Sequence, residues 1–134
     1  MKPTCILLFT FLCRHVCLAL PTEDNHAVVD HHLASPASAK LSQDIARRMI
    51  NDDEQYQCFY SIVERESNWD YTATNVETGA YGLVQALPGS KMAAAGADWR
   101  INPATQIEWG LGYTKDRYNS PCGAWSFWQA NRWW

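Results

Sequence analysis

Phe59, Ile62, Val63 and Glu66 recur at i, i+3, i+4, i+7 spacing, and the pattern stops at Ser67, ahead of a Gly-rich run, Gly79-Ala-Tyr-Gly-Leu-Val-Gln85. Residues at that spacing share one helical face. The segment from about Glu54 to Ser67 is therefore expected to be a helix whose core-facing stripe ends in a carboxylate, with Cys58 at its border. Glu64 lies two positions earlier, about 200° around the helix, and is expected to face solvent. An acid on the apolar side loses hydration, which disfavours its charged form and raises its pKa. The next stretch cannot stay helical. Gly79, Gly82, Pro88 and Gly89 make residues 75–90 a loop or a short, tight ribbon. One proton donor beside a backbone that a sugar can approach closely is the pairing a single-acid glycosidase requires.

Helix signals continue downstream. Asn102-Pro103 reads as an N-cap and first helical residue of a helix over 102–118, with Ala104, Ile107, Leu111 and Tyr118 along one face. Ser120-Pro121 repeats that opening and leads into Cys122-Gly-Ala-Trp125. Upstream, Leu41, Ile45 and Met49 form an every-fourth-residue stripe, which predicts a helix over 38–51 that packs on the domain or merely precedes it. Residues 1–20 read as a secretory signal: Lys2, an apolar run from Cys5 to Cys13 and a small residue, Ala19, for cleavage, although Arg14-His15 interrupts the pattern. The run is too short to span a bilayer. Residues 21–53 then form a linker containing the 38–51 helix, and 54–134 a single mainly α domain with a Gly-rich cleft segment and one disulfide.

Composition narrows the chemistry. The four histidines (15, 26, 31 and 32) precede the aromatic block, in which every Trp and Tyr lies at or after Tyr56. Unless the leader folds back, a Ser-His-Asp triad, a Cys-His pair and a His-ligated zinc site are all excluded. The net charge of −3 and the absence of a Lys/Arg cluster beyond Arg47-Arg48 argue against nucleic acid. No metal or organic cofactor is indicated. Removal of the leader takes Cys5, Cys13 and Cys17 with it and leaves Cys58 and Cys122. A bridge between them is favoured over two reduced, buried cysteines, and would contribute about 4 kcal/mol by constraining the unfolded chain.

Glu66-Ser67-Asn68-Trp69, Gly79–Gln85, Ala86–Met92, Ala95–Trp99, Asn102–Gln106 and Ser120–Trp125, in that order, together resemble the actinobacterial lytic transglycosylase-like domains. These belong to the lysozyme-like superfamily and are related to soluble lytic transglycosylases and resuscitation-promoting factors. The resemblance covers about residues 55–134 and implies a mostly α, lysozyme-like (α+β) fold with a glycan cleft. It implies that Glu66 is the catalytic acid, that Gly79–Gln85 lines the cleft with Gln85 on a sugar, and that Cys58 pairs with Cys122. Ser67, Tyr81, Tyr113 and Trp125 are the further candidate substrate contacts. The aromatics Tyr81, Tyr113 and Trp125 read equally well as core residues. The wider family carries Ala-Tyr-Asn near its C-terminus. Here the match is Ala124-Trp125-Ser126, which keeps an aromatic wall and loses the Tyr hydroxyl and the Asn amide.

Most glycosidases flank the scissile bond with two carboxylates. Asp70, Glu77 and Asp98 are the candidates for a second, and none falls at a family nucleophile position. Asp70 reads instead as a solvated turn residue. The expected activity is cleavage of the β-1,4 bond between N-acetylmuramic acid and N-acetylglucosamine in peptidoglycan, giving 1,6-anhydro-muropeptides. The alternatives are a hydrolytic muramidase using the same acid and a catalytically weak wall-binding module. The expected partner is the peptidoglycan strand, acted on by a secreted monomer with no membrane insertion after signal removal. Trp69, Trp99 and Trp109 read as core residues, whereas Trp128, Trp133 and Trp134 are open between sugar stacking and core closure.

Overall fold

A computed structural model describes residues 35–134. The signal reading over 1–20 and the first part of the linker lie outside the described residues. Four α-helices follow one another: α1 (Pro36–Met49), α2 (Asp53–Ser67), α3 (Pro103–Tyr118) and α4 (Pro121–Asn131). A 3-10 helix, Gly89–Ala94, precedes α3. Between α2 and the 3-10 helix the backbone makes only isolated antiparallel bridges, Thr74 with Tyr81 and Tyr81 with Ala86. The architecture is thus mainly helical, as the periodicity implied.

The caps explain the helix starts. Asp52 accepts from the Gln55 amide at the head of α2, Asn102 from the Ala104 amide at α3, and Ser120 from the Gly123 amide at α4. Pro103 and Pro121 occupy first-turn positions, where a missing N–H costs nothing. Phe59 and Val63 of α2 meet Trp69, Leu83, Val84, Met92 and Ile107 in one buried cluster. Cys58 and Cys122 form a disulfide across 64 positions, tying α2 to the start of α4. Gln55 reinforces the tie by accepting from the Cys122 amide at 3.1 Å. Reducing the bridge is expected to lower stability by about 4 kcal/mol, measurable by denaturant titration with and without a reductant.

Two expected stripes are displaced. In α1, Leu41 and Met49 are 54% and 37% exposed, and the buried residues are Ser42 and Ala46, followed by Ile50 after the helix. Small residues let α1 lie close to α2 and α3, so the packed face is not the one with the largest side chains. Ala46 and Ile50 belong to the main cluster, so a helix read as part of a linker contributes to the core. In α3, Ile107 is buried as expected, but its buried companions are Pro103, Thr105, Gln106, Gly110 and Thr114. Ala104, Leu111 and Tyr118 are only partly covered. A Cβ on Gly110 would come within 2.7 Å of Val84 Cγ1, so this glycine sets how close α3 approaches the Gly-rich segment.

Gln106 holds that segment in place. Its Oε1 accepts from the Leu83 amide at 2.8 Å, and its Nε2 donates to the carbonyls of Tyr71 and Trp99 at 2.9 and 2.8 Å. Gly82 lies directly against this amide. Its φ is +78°, and an added Cβ would sit 2.4 Å from Gln106 Oε1. Both the backbone conformation and the contact forbid a side chain here. Gly82→Ala is expected to cost about 3 kcal/mol, read as a lowered thermal midpoint.

Candidate active site

Glu66 stands in the last turn of α2 and faces a cleft of about 240 Å³. The chain leaves the helix abruptly there. Asn68 and Trp69 both take positive φ, at 51° and 63°. Successive left-handed residues without Cβ-free glycine are costly. They reverse the chain so that Trp69 enters the core while Glu66 stays at the surface of the cleft, with Trp69 fully buried. The cleft is also lined by the end of the Gly-rich segment, Val84 to Leu87, and by Trp109 and Tyr113 of α3. Those two rings stack at 5.2 Å with planes 20° apart.

The electrostatics of Glu66 have one dominant cause. Burial pushes its carboxyl above the ordinary carboxylate range, and the indole N–H of Trp128, with Trp134 also lining the cleft, pulls partly back. Trp128 Nε1 donates to Glu66 Oε1 at 3.0 Å. An acid that is half-buried and raised in this way remains protonated to higher pH than a surface glutamate, as a general acid must. Glu64, two residues earlier, is also half-buried rather than fully solvated, but borders a separate groove with Tyr60 and Asn68.

No other acidic side chain among the described residues lines the cleft. Asp70 is a turn residue, its Oδ1 accepting from the Thr72 amide and hydroxyl, but it is buried at 4% exposure rather than solvated. Asp98 accepts from Asn102 Nδ2 and Thr105 Oγ1, both at 2.7 Å, which holds its carboxyl below the usual range. Its contribution to stability is present above the unfolded-state pKa and is lost as pH falls through the lowered native value. Glu77 is exposed in the loop.

The candidate contacts separate into two groups. Gln85 and Tyr113 line the cleft with Glu66. Gln85 has φ +48°, and its Nε2 donates to the carbonyls of Ala73 and Gly82, leaving the amide oxygen as its free acceptor. Ser67, Tyr81 and Trp125 do not line it. The Ser67 hydroxyl donates to the Leu83 carbonyl at 2.8 Å and pins the Gly-rich segment to α2. The Tyr81 hydroxyl donates to the Arg100 carbonyl, and its ring meets Trp99 edge-on. Trp125 stacks on Trp128 at 5.3 Å and so supports the indole that reaches Glu66.

Periodicity does not single out Trp128, Lys91 or Arg132, and by sequence Trp109 reads as core. Trp109 is both, packing on the core and lining the cleft. The position of Trp128 follows from α2 and α4 running side by side in the same direction. Cys122 lies against Cys58 near the start of both helices, and Trp128 meets Glu66 near their ends.

A family model for the transglycosylase SLT domain matches residues 45–131, well over half of the chain. The chain belongs to this family. The match begins inside α1 and ends at the last residue of α4, so all four helices and the Gly-rich segment fall wholly or partly within the SLT domain. Comparison with curated proteins and with solved structures finds no match. SLT domains are those of lytic transglycosylases that act on peptidoglycan, and a lysozyme-like reading of this helical fold agrees with that membership. Among the described residues, no helix is long and apolar enough to cross a membrane.

Proposed function

We propose that this SLT domain cleaves the β-1,4 bond between N-acetylmuramic acid and N-acetylglucosamine by lytic transglycosylation, using Glu66 alone as acid and then base. The observation that carries the reading is a single raised carboxyl in a cleft whose lining has no second acidic side chain among the described residues. A two-carboxylate mechanism requires a partner some 5–9.5 Å across the bond.

In the first step protonated Glu66 gives its proton to the glycosidic oxygen. The C1–O bond breaks, and positive charge develops on the muramyl ring. The sugar's own 2-acetamido group assists from within the substrate. Glu66, now a carboxylate, removes the proton from the 6-hydroxyl of the same sugar. O6 bonds to C1, which closes a 1,6-anhydro ring, consumes no water and returns Glu66 to its protonated form. The Trp128 indole donor suits the carboxylate stage, and burial suits the protonated stage. On this reading the Gln85 amide oxygen accepts from a sugar hydroxyl or N-acetyl N–H, and Trp109 and Tyr113 offer apolar faces to the sugar; their lining of the Glu66 cleft supports it. Residues 1–20 are read as an export signal, and the disulfide suits an oxidising compartment outside the cytoplasm.

Mass spectrometry of soluble products from purified peptidoglycan tests the reading. Anhydro-muropeptides are expected. Reducing-end muropeptides would replace it with a hydrolytic muramidase, and binding without any product would leave a wall-binding module. The pH profile gives a second check. Activity is expected to fall as pH rises through the raised Glu66 pKa, because the proton donor is lost. Trp128→Phe removes an N–H that stabilises the carboxylate, so this alkaline limb is expected to move to higher pH. A shift to lower pH, or none, would contradict the role given to Trp128.

A further inference from the structure

We propose that Lys91 and Arg132 form a carboxylate-recognition point at the rim of the Glu66 cleft, through which the protein selects strands that carry acidic groups on the muramyl sugar. The inference rests on the glycan-cleaving reading above and deepens it. Both side chains line the cleft with Glu66, Lys91 from the 3-10 helix and Arg132 from the residue that caps α4. The chain as a whole carries −3, yet the charged side chains at this cleft are two cations and one acid that burial favours in its neutral form. Among the described residues, the ion pairs are Lys40 with Asp44 and Arg47 with Asp53, so neither rim cation is neutralised by a carboxylate.

The backbone at Arg132 is a second, independent observation. Its φ is +66°, the left-handed cap conformation in which glycine is relaxed and a side chain is strained. An arginine stands there all the same. Its guanidinium lies over the Trp128 ring at 5.3 Å. Stacking by one face leaves the planar edge free to take a carboxylate through two parallel hydrogen bonds. Lys91 is exposed and adds a movable point charge. The family match ends at Asn131, so Arg132 lies just beyond the part shared with the SLT model.

The two cations leave the acid alone. Burial is the main cause of the raised Glu66 pKa, the Trp128 hydrogen bond opposes it, and neither rim cation is among the causes. A substrate anion can therefore be held at the rim while Glu66 keeps its proton. A carboxylate is also the group that separates candidate strands. Every second sugar of peptidoglycan carries a lactyl ether, either as the free acid or extended by a peptide with its own carboxyls. A polymer of N-acetylglucosamine carries none.

Steady-state kinetics on peptidoglycan strands, native or with carboxyls capped as neutral methylamides, provide the test. For the wild-type protein, capping is expected to raise KM about tenfold and to leave kcat within about twofold. A Lys91→Gln/Arg132→Gln double variant should show the raised KM on native strands and no further response to capping. Lys91→Gln alone, at an exposed position that cannot unfold the domain, should show about a threefold rise. Strands stripped of peptide retain the free lactate. Continued sensitivity to capping there assigns the contact to the lactate, and lost sensitivity assigns it to the peptide; both support the proposal. Equal KM on capped and native strands for wild type would overturn it, as would a double variant as sensitive as wild type. If wild type cleaves neither strand, the cleavage reading fails instead. Cosedimentation with native and capped strands then decides the rim separately, with at least fivefold weaker binding to capped strands expected and equal binding overturning it.

Discussion

Glu66→Gln is expected to reduce turnover of peptidoglycan by about 10³-fold or more, because the acid and the base of the reaction are lost together. Gln keeps the shape of the side chain and an oxygen for the Trp128 N–H, so the protein should stay folded. The same substitution is expected to raise thermal stability at neutral pH. The Glu66 carboxyl is raised in the native state by burial, so the native protein binds more protons than the unfolded chain once pH exceeds the ordinary carboxylate range. Stability therefore falls as pH rises from that range through the raised native value. The glutamine variant lacks this slope. Its thermal midpoint should match wild type in acid and exceed it at pH 7. Unchanged turnover would remove Glu66 from the mechanism, and a lower midpoint at pH 7 would contradict the burial cost assigned to it.

The second large effect is expected at Gln106. This buried amide satisfies one backbone N–H and two backbone carbonyls from three separate segments. Gln106→Leu fills similar space and leaves all three groups buried and without partners. Each costs about 1–3 kcal/mol, so a loss of roughly 4 kcal/mol and a fall of about 20 °C in thermal midpoint are expected. Activity should fall further than stability requires, because the Leu83 amide anchors the strip that carries Val84 and Gln85 into the cleft. Hydrogen exchange at the Leu83 amide gives a direct reading, and protection equal to wild type would refute the anchoring role.

Much of the fold was legible because its signals are local. Asn102-Pro103 and Ser120-Pro121 announce helix starts through their own chemistry, and both caps form as the side chains dictate. The α2 stripe placed Glu66 on the covered face because its neighbours Phe59, Ile62 and Val63 are large and apolar and all face one way. The α1 stripe misled because close helix packing there selects Ser42 and Ala46, for which hydrophobicity is a poor guide. Gln106 and Gly110 were missed on the packed face of α3 for the same reason: one is buried for its hydrogen bonds, the other for its lack of a Cβ. Ser67 and Tyr81 sit in motifs that resemble a sugar-binding site, but their hydroxyls are committed to the carbonyls of Leu83 and Arg100.

By itself the sequence determined where the helices lie, the caps of α3 and α4, the paired cysteines left in the aromatic block, and a lone acid at the end of an apolar stripe. Each of these depends on residues within a few positions of one another or on parity alone. Tertiary structure decided which groups meet that acid. Trp128 is sixty-two positions from Glu66 and reaches it because α2 and α4 lie side by side in one direction, joined through Cys58 and Cys122. Lys91, Trp109 and Arg132 converge on the same cleft from the 3-10 helix, from α3 and from the cap of α4. Periodicity assigns a residue to a face of its own helix. It holds no information on the direction or distance at which another helix will pack, and the surroundings of Glu66 depend on both.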